Sequence, residues 1–255
     1  MPSYTDEGVV LRSIKLGEAD RIITILTRSH GKIRAVAKGV RRTKSRFGGR
    51  LEPFSRNTFL IYEGRGELQH INQVDSLVSY GASITSSYDS YVAANVMVES
   101  VDKLLDSAEQ MMPDDVRPYY TLLISALASL SREEHGADII ENSFLLRLLA
   151  TGGWSPRIDR CAVCGRQTQL EYFSVTAGGM TCSTDRFMDA REVSHSTRVQ
   201  LFALLHGRWD LLNENERSKG SESVLNPDVD QIVEEWLQYY IECPIRSLKL
   251  IKSVL

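Results

Sequence analysis

Two periods of apolar residues divide the chain. The first 80 residues carry short runs with the two-residue alternation of strands. Thr5–Lys15 contains Val9, Val10 and Leu11, and Arg21–Thr27 contains Ile22, Ile23, Ile25 and Leu26. Gly31–Lys38 alternates cleanly: Ile33, Ala35 and Ala37 share one face, while Lys32, Arg34, Val36 and Lys38 share the other. That is a half-buried strand with a mostly basic outer face. Asn57–Tyr62 and Leu68–Leu77 follow, separated by a Gly64/Gly66 turn. Five short strands in this length suit a small barrel or sandwich. Gly39–Pro53, with Gly39, Gly48 and Gly49, is expected to be a loop.

The period then becomes helical. Tyr88–Leu105 places Tyr91, Ala94, Val98, Val101 and Leu105 at spacings of three and four, an apolar stripe. Val116–Leu130 and the leucine-rich Ile139–Ala150 are the next helices, and Gly152-Gly153 and Pro156 stop the latter. Ser196–Leu212 and Asp228–Ile241 are expected to be helices, with residues 213–227 a polar loop between them. No internal repeat is visible. The fold class is α+β.

Composition adds little, but charge adds a great deal. With 255 residues, 42% hydrophobic and 25% charged, the chain is of ordinary globular composition. It has no apolar run of membrane-spanning length and no secretory leader pattern, so a cytoplasmic location without membrane partners is expected. The net charge of −3 conceals a net of +6 over residues 1–80 and −9 over the rest. Arg28, Lys32, Arg34, Lys38, Arg41, Arg42, Lys44, Arg46 and Arg50 form a run of nine basic residues with no acid among them. Such a run suits a polyanion, and it also suits a plain solvated loop.

Cys161 and Cys164 form a Cys-x-x-Cys pair followed by Gly165; Cys182 and Asp185 come next, three residues apart. Two knuckles at this separation resemble a structural zinc site with a carboxylate in the fourth place, a chemistry zinc accepts. A metal-free relic, a redox pair, or His195 as fourth ligand are the alternatives. Cys243 stands alone and is expected to be a packed thiol. No phosphate-binding Gly-rich loop occurs, and the five histidines share no local constellation with a nucleophile and an acid. A non-enzymatic role is expected.

Three blocks together resemble the RecO family of bacterial DNA-repair mediators. The first runs from Glu7-Gly8-Val9-Val10-Leu11 through Gly17-Glu18-Ala19-Asp20-Arg21-Ile22 and Gly31–Arg42 to Ser45–Phe54. The second is Leu148-Leu149-Ala150, Gly153-Trp154-Ser155-Pro156, Asp159, Arg160-Cys161 and Cys164-Gly165; the third is Arg246–Ser253. The resemblance implies an N-terminal OB-fold barrel over residues 1–80. It implies a helical domain over 81–156 and 191–255, interrupted by a zinc-ribbon-like insert over 157–190. It further implies binding to single- and double-stranded DNA and annealing of complementary strands. RecR and single-stranded-DNA-binding protein (SSB) would be the partners in loading RecA in the RecFOR pathway, at the nucleoid. Family members commonly carry four cysteines in the insert, so Asp185 is a departure at the last position.

The site residues expected on this basis are Lys32, Arg34, Lys38, Arg41, Arg42, Lys44, Arg46 and Arg50 for nucleic acid. Cys161, Cys164, Cys182 and Asp185 are expected to hold one structural Zn2+. Single strands bind OB barrels through a basic groove and aromatic platforms. Tyr4, Phe47, Phe54, Phe59 and Tyr62 are the candidates, with Phe47 set among the basic residues. Phe54 and Phe59 also suit the core, and Phe47 also suits a loop anchor. An RNA- or tRNA-binding accessory protein is the alternative reading, and a zinc-dependent nuclease a weaker third. The basic tail residues Arg246, Lys249 and Lys252 suggest that the acidic tail of SSB meets the helical half.

Overall fold

The computed structural model describes residues 2–64, 66–107, 113–212, 224–241 and 243–248. The chain divides into two compact units. One holds Met1–Glu134 and takes the chain in again at Arg246; the other is His135–Ile245. Lys249 and Lys252 lie outside the described residues, as do residues 213–223 of the expected polar loop.

The first unit opens with β1 (Ser3–Leu16), β2 (Asp20–Thr27), β3 (Lys32–Ala37), β4 (Ser55–Tyr62) and β5 (Gln69–Ser79). They close into a barrel in the order β1-β2-β3-β5-β4, with β3 and β5 parallel. β1 is long enough to pair with β4 through Ser3–Val9 and with β2 through Gly8–Leu16, and it kinks at a register shift between Val10 and Arg12. The alternation expected of β3 holds for its inner face, since Ile33, Ala35 and Ala37 are buried beside Ile23, Ile25, Phe59, Ile61 and Ile71. The Gly39–Pro53 connection contributes to that core as well. Phe47 and Leu51, the latter on a 3-10 turn (Gly48–Leu51), are buried in it at 1% and 2% exposure.

α1 (Gly81–Ile84), α2 (Tyr88–Ser107) and α3 (Pro113–Ser131) complete this unit. α2 buries more than the expected stripe. Val92 and Val96 are buried alongside Ala94, Val98 and Val101, because α2 packs against both α3 and β1. Tyr91 is instead exposed.

The second unit is built on α4 (Ala137–Thr151), buried along most of its length and packed by α5 (His195–His206) and α6 (Pro227–Tyr240). Ser194 caps α5 by accepting the Thr197 N–H at 3.1 Å, and Pro227 opens α6 with Asp228 and Asp230 in its first turn. The helix expected over Ser196–Leu212 is broken: Gly207 adopts φ +65°, its N–H closes on Ala203 O, and helical backbone resumes only at Trp209. Between α4 and α5 lies a three-stranded sheet in the order β7-β6-β8, from β6 (Leu170–Ser174), β7 (Gly179–Cys182) and β8 (Arg191–Glu192). Trp236 of α6 is buried beneath it, edge-on to Phe173 of β6, and its indole N–H donates to Trp154 O at 3.1 Å.

Candidate metal centre and nucleic-acid interface

The candidate metal centre is assembled by a backbone crossing. Gly179 sits at φ +142°, and a Cβ there would lie 2.3 Å from the carbonyl oxygen of Arg157. The room is used for pairing: Arg157 N–H donates to Gly178 O at 3.0 Å, and Met180 N–H donates to Arg157 O at 2.8 Å. The Ala162 N–H then donates to Met180 O at 2.8 Å. The segment leading into the first knuckle is thereby laid beside the strand leading into the second.

In the first knuckle, Gly165 turns at φ +76° and its N–H donates to Cys161 O at 3.0 Å. In the second, Cys182 ends β7 and Asp185 ends a 3-10 turn (Ser183–Asp185). Asp185 Oδ2 lies 3.3 Å from Cys161 Sγ and 3.2 Å from Cys182 Sγ, and Cys164 Sγ lies 3.9 Å from Cys182 Sγ. All four ligand atoms fall within 4.8 Å of one another. A zinc tetrahedron with metal–sulfur bonds of about 2.3 Å has sulfur–sulfur edges of about 3.8 Å, so this donor set has the size of a zinc shell. Three soft sulfurs also favour zinc over calcium or magnesium. His195, as the first residue of α5, is not part of the cluster.

Cys161 and Cys182 are buried, Asp185 is half-buried and Cys164 is exposed. Burial works against ionisation of Cys161, but the backbone N–H groups of Cys164, Cys182 and Val163 point at its sulfur and hold the thiol below its ordinary value. Hydrogen bonds from Cys164, Cys182 and Cys161 hold the Asp185 carboxyl low, and the one with Asp185 pushes Cys164 up. A divalent cation would replace the protons in these interactions. With four protein ligands the ion would have no open position for substrate, so its chemistry would be that of a cross-link.

Of the eight basic residues expected to meet nucleic acid, seven are placed on the surface. Arg34, Lys38, Arg41, Arg42, Lys44, Arg46 and Arg50 are all exposed. Arg41 is anchored at its backbone, where its N–H donates to Ala19 O at 2.9 Å, and the Gly39 N–H donates to Asp20 Oδ1 at 2.7 Å. The root of the loop is thus fixed beside the β1–β2 turn. Lys32 departs from the expected set. Its ammonium donates to Asp102 O at 2.6 Å, pairs with the carboxylates of Asp102 and Asp106 on α2, and its side chain is 12% exposed. A neighbouring helix takes up its charge, which a one-dimensional charge count could not show.

Arg12 lies outside the basic run yet belongs to the same surface. It is exposed and stands in register with Thr24, which stands in register with Arg34, on the outer face of the barrel. Pairing β1 with β2 and β2 with β3 through that register is the signal that finds it.

Among the described residues no helix is long and apolar enough to cross a membrane. Residues 1–80 match the family model described as "Recombination protein O N terminal", and residues 85–249 match "Recombination protein O C terminal". The chain is 49% identical over 253 residues to the DNA repair protein RecO of Bifidobacterium longum subsp. infantis, covering 99% of this chain and 100% of that protein. It is 38% identical over 258 residues to the DNA repair protein RecO of Streptomyces griseus, covering 99% of this chain and 100% of that one. Identity is again 38%, over 255 residues, to the Thermobifida fusca protein of that name, covering 99% of each. With both halves matched by their own model and identity sustained end to end, the chain belongs to the RecO family of DNA repair proteins.

Proposed function

We propose that this chain is a non-enzymatic mediator that holds single- and double-stranded DNA by its phosphates and anneals complementary strands. In this reading it acts with RecR to load RecA onto SSB-coated DNA at the nucleoid. The observation that carries the reading is the basic surface: seven exposed cations from Arg34 to Arg50, with no acidic residue from Arg28 to Arg50. Cations on phosphates hold either strand without reading bases and offset the repulsion between strands that annealing must overcome. The barrel over residues 1–80 is the DNA-binding OB-fold, and residues 157–190 form a zinc-ribbon-like insert in the helical domain of 81–156 and 191–255. Zinc would be held by Cys161, Cys164, Cys182 and Asp185 as a structural ion.

For SSB, the second unit has a cavity of about 350 Å³ lined by Pro156, Ile158, Phe202 and Leu205 with Arg157 and His206; Asp159 also lines it. Its apolar wall and its basic groups suit an acidic, hydrophobic peptide end.

The test is replacement of Arg41, Arg42, Lys44 and Arg46 together by alanine. Removing four phosphate-binding cations should shallow the slope of log duplex affinity against log salt by about 3 to 4. Lys32→Ala, whose charge is already paired, serves as the comparison and should leave the slope unchanged. An unaltered slope in the fourfold variant, with its fold intact, moves the DNA surface elsewhere.

A further inference from the structure

We infer that the candidate zinc centre is a peroxide-sensitive switch, in which Cys164 and Cys182 close a disulfide and the ion is given up. This rests on the zinc reading above and adds to it what an aspartate in the fourth place does.

The sulfurs differ in access and in freedom. Cys161 and Cys182 are fully buried, whereas Cys164 is exposed. Cys161 Sγ is held by the backbone N–H groups of Val163, Cys164 and Cys182 and lies 3.3 Å from Asp185 Oδ2. Cys164 Sγ lies 3.9 Å from Cys182 Sγ. A disulfide is roughly 2 Å long, so these two sulfurs need about 2 Å of travel, which rotation of an exposed side chain supplies. An oxidant arriving from solvent meets Cys164 first, and Cys182 is the sulfur placed to resolve it.

The chemistry balances with a hydroperoxide as oxidant, hydrogen peroxide being the simplest. The Cys164 thiolate attacks one peroxide oxygen. An S–O bond forms, the O–O bond breaks, and the departing hydroxide takes a proton to become water. The Cys182 thiolate then attacks the sulfur of that sulfenic acid. An S–S bond forms, the S–O bond breaks, and a second hydroxide is protonated to water. The two thiolates have lost two electrons between them, and the peroxide has gained both.

Asp185 decides what remains. Once Cys164 and Cys182 are joined, Cys161 and Asp185 are the charged donors left in the cluster. One thiolate and one carboxylate do not make the four ligands of a structural zinc. A fourth cysteine would leave a second pair of thiols open to oxidation. An aspartate cannot form that second disulfide, and the odd sulfur, Cys161, is buried from solvent, so oxidation stops at one bond. That bond ties one knuckle to the other, so reduction returns both sulfurs to the site.

The strand crossing is what responds. Pro156, Arg157, Ile158 and Asp159 line the cavity of the second unit, and the chain runs from them directly into the first knuckle at Cys161. This segment is laid on β7 by the Arg157, Met180 and Ala162 N–H groups. Loss of the ion removes the tie at Cys161 that holds its end.

The experiment treats the full chain with a few equivalents of hydrogen peroxide. Cys243, expected to be packed, is exposed instead, so it is replaced by serine to leave the three thiols of the centre. A chromogenic chelator too weak to strip the untreated protein should then register about one zinc per chain. Free thiols counted after denaturation should fall from three to one, and mass mapping should place the bond between Cys164 and Cys182. Hydrogen exchange at the Arg157, Ala162 and Met180 amides should speed. Dithiothreitol with added zinc should reverse every change. Should Cys243→Ser fail to fold, the native chain carries the same mapping, with Cys243 read from its own peptide. Zinc retained against peroxide overturns the switch. A Cys161–Cys164 disulfide, a sulfinic acid at Cys164 with no disulfide, or unaltered exchange once the ion is gone overturns it equally. A chain purified without chelator that carries no zinc sinks the zinc reading itself, a result distinct from any of these.

Discussion

Glu99 of α2 accepts two hydrogen bonds from Ser247, the backbone N–H at 2.8 Å and the hydroxyl at 2.6 Å, across 148 positions of sequence. The N–H of Arg246 adds a third at 3.0 Å. One carboxylate thus returns the chain to the first unit after the whole second unit has been made. Burial alone would raise the Glu99 carboxyl, but the bonds from Ser247 and Arg246, with Lys103 nearby, hold it below its ordinary value of 4.5. A carboxyl depressed in this way contributes stability that is present above 4.5 and lost as pH falls through its lower folded value. Glu99→Ala should therefore destabilise the protein at neutral pH by about 1 kcal/mol, a small figure because the group is half-exposed and screened. Hydrogen exchange at the Arg246 and Ser247 amides should accelerate in the variant. Unchanged exchange there would show that Leu248, also buried, holds the segment alone.

Phe47 tests loop against core. Its neighbours in sequence are cations, and the Arg46 guanidinium lies 4.9 Å from its ring centre, yet the ring is 1% exposed within the barrel core. Phe47→Ala should cost about 3–5 kcal/mol in stability, as for other buried phenylalanines, with DNA affinity of the folded fraction little changed. Chemical denaturation beside a binding titration separates the two. A stable variant with weakened single-strand binding would return Phe47 to the DNA surface.

Glu141 gives stability a measurable dependence on pH between its unfolded and folded values. It is buried on α4, and burial first, then Asp230, Asp138 and Glu234, pushes its carboxyl up to about 8. A carboxyl raised above its unfolded value contributes stability that is fully present below about 4.5 and is lost as pH rises through about 8. Thermal melts of the native chain should fall as pH rises from about 4.5 to about 8 and level off above that. Glu141→Gln, which imitates the protonated form, should melt alike at the acid end of that window and several degrees higher at the alkaline end. Parallel curves for the two proteins would show that Glu141 does not carry this dependence.

Asp185 is the residue that tests the proposed zinc site. Zinc should be found at one per chain in protein purified without chelator. Asp185→Ala should weaken its retention in chelator competition, and Asp185→Cys should strengthen it, because a soft sulfur replaces a hard oxygen. Chelation should speed hydrogen exchange over residues 157–190 and leave DNA binding by the barrel intact. Zinc retention that is indifferent to Asp185→Ala would assign the fourth position to another group.

The strands, the helices and both knuckles are legible in the sequence because each is specified locally. Period-two alternation sets the inner face of β3, and ligand spacing sets the Cys161–Cys164 and Cys182–Asp185 pairs. The loop at Gly39–Pro53 shows as a break in the alternation, although the burial of Phe47 and Leu51 within it does not. What escapes local reading depends on which segments meet. The Lys32 charge is taken up by Asp102 and Asp106, 70 and 74 positions away. Arg12 joins Arg34 only through two strand registers. Gly207 ends a helix whose apolar period runs on past it, since one residue in the left-handed region outweighs a continuing pattern. Residue type and spacing determined the chemistry available to this protein; closure of the barrel and the crossing at Gly179 decided which of those groups share a surface or a site, because proximity between distant segments is a property of packing and not of any local stretch.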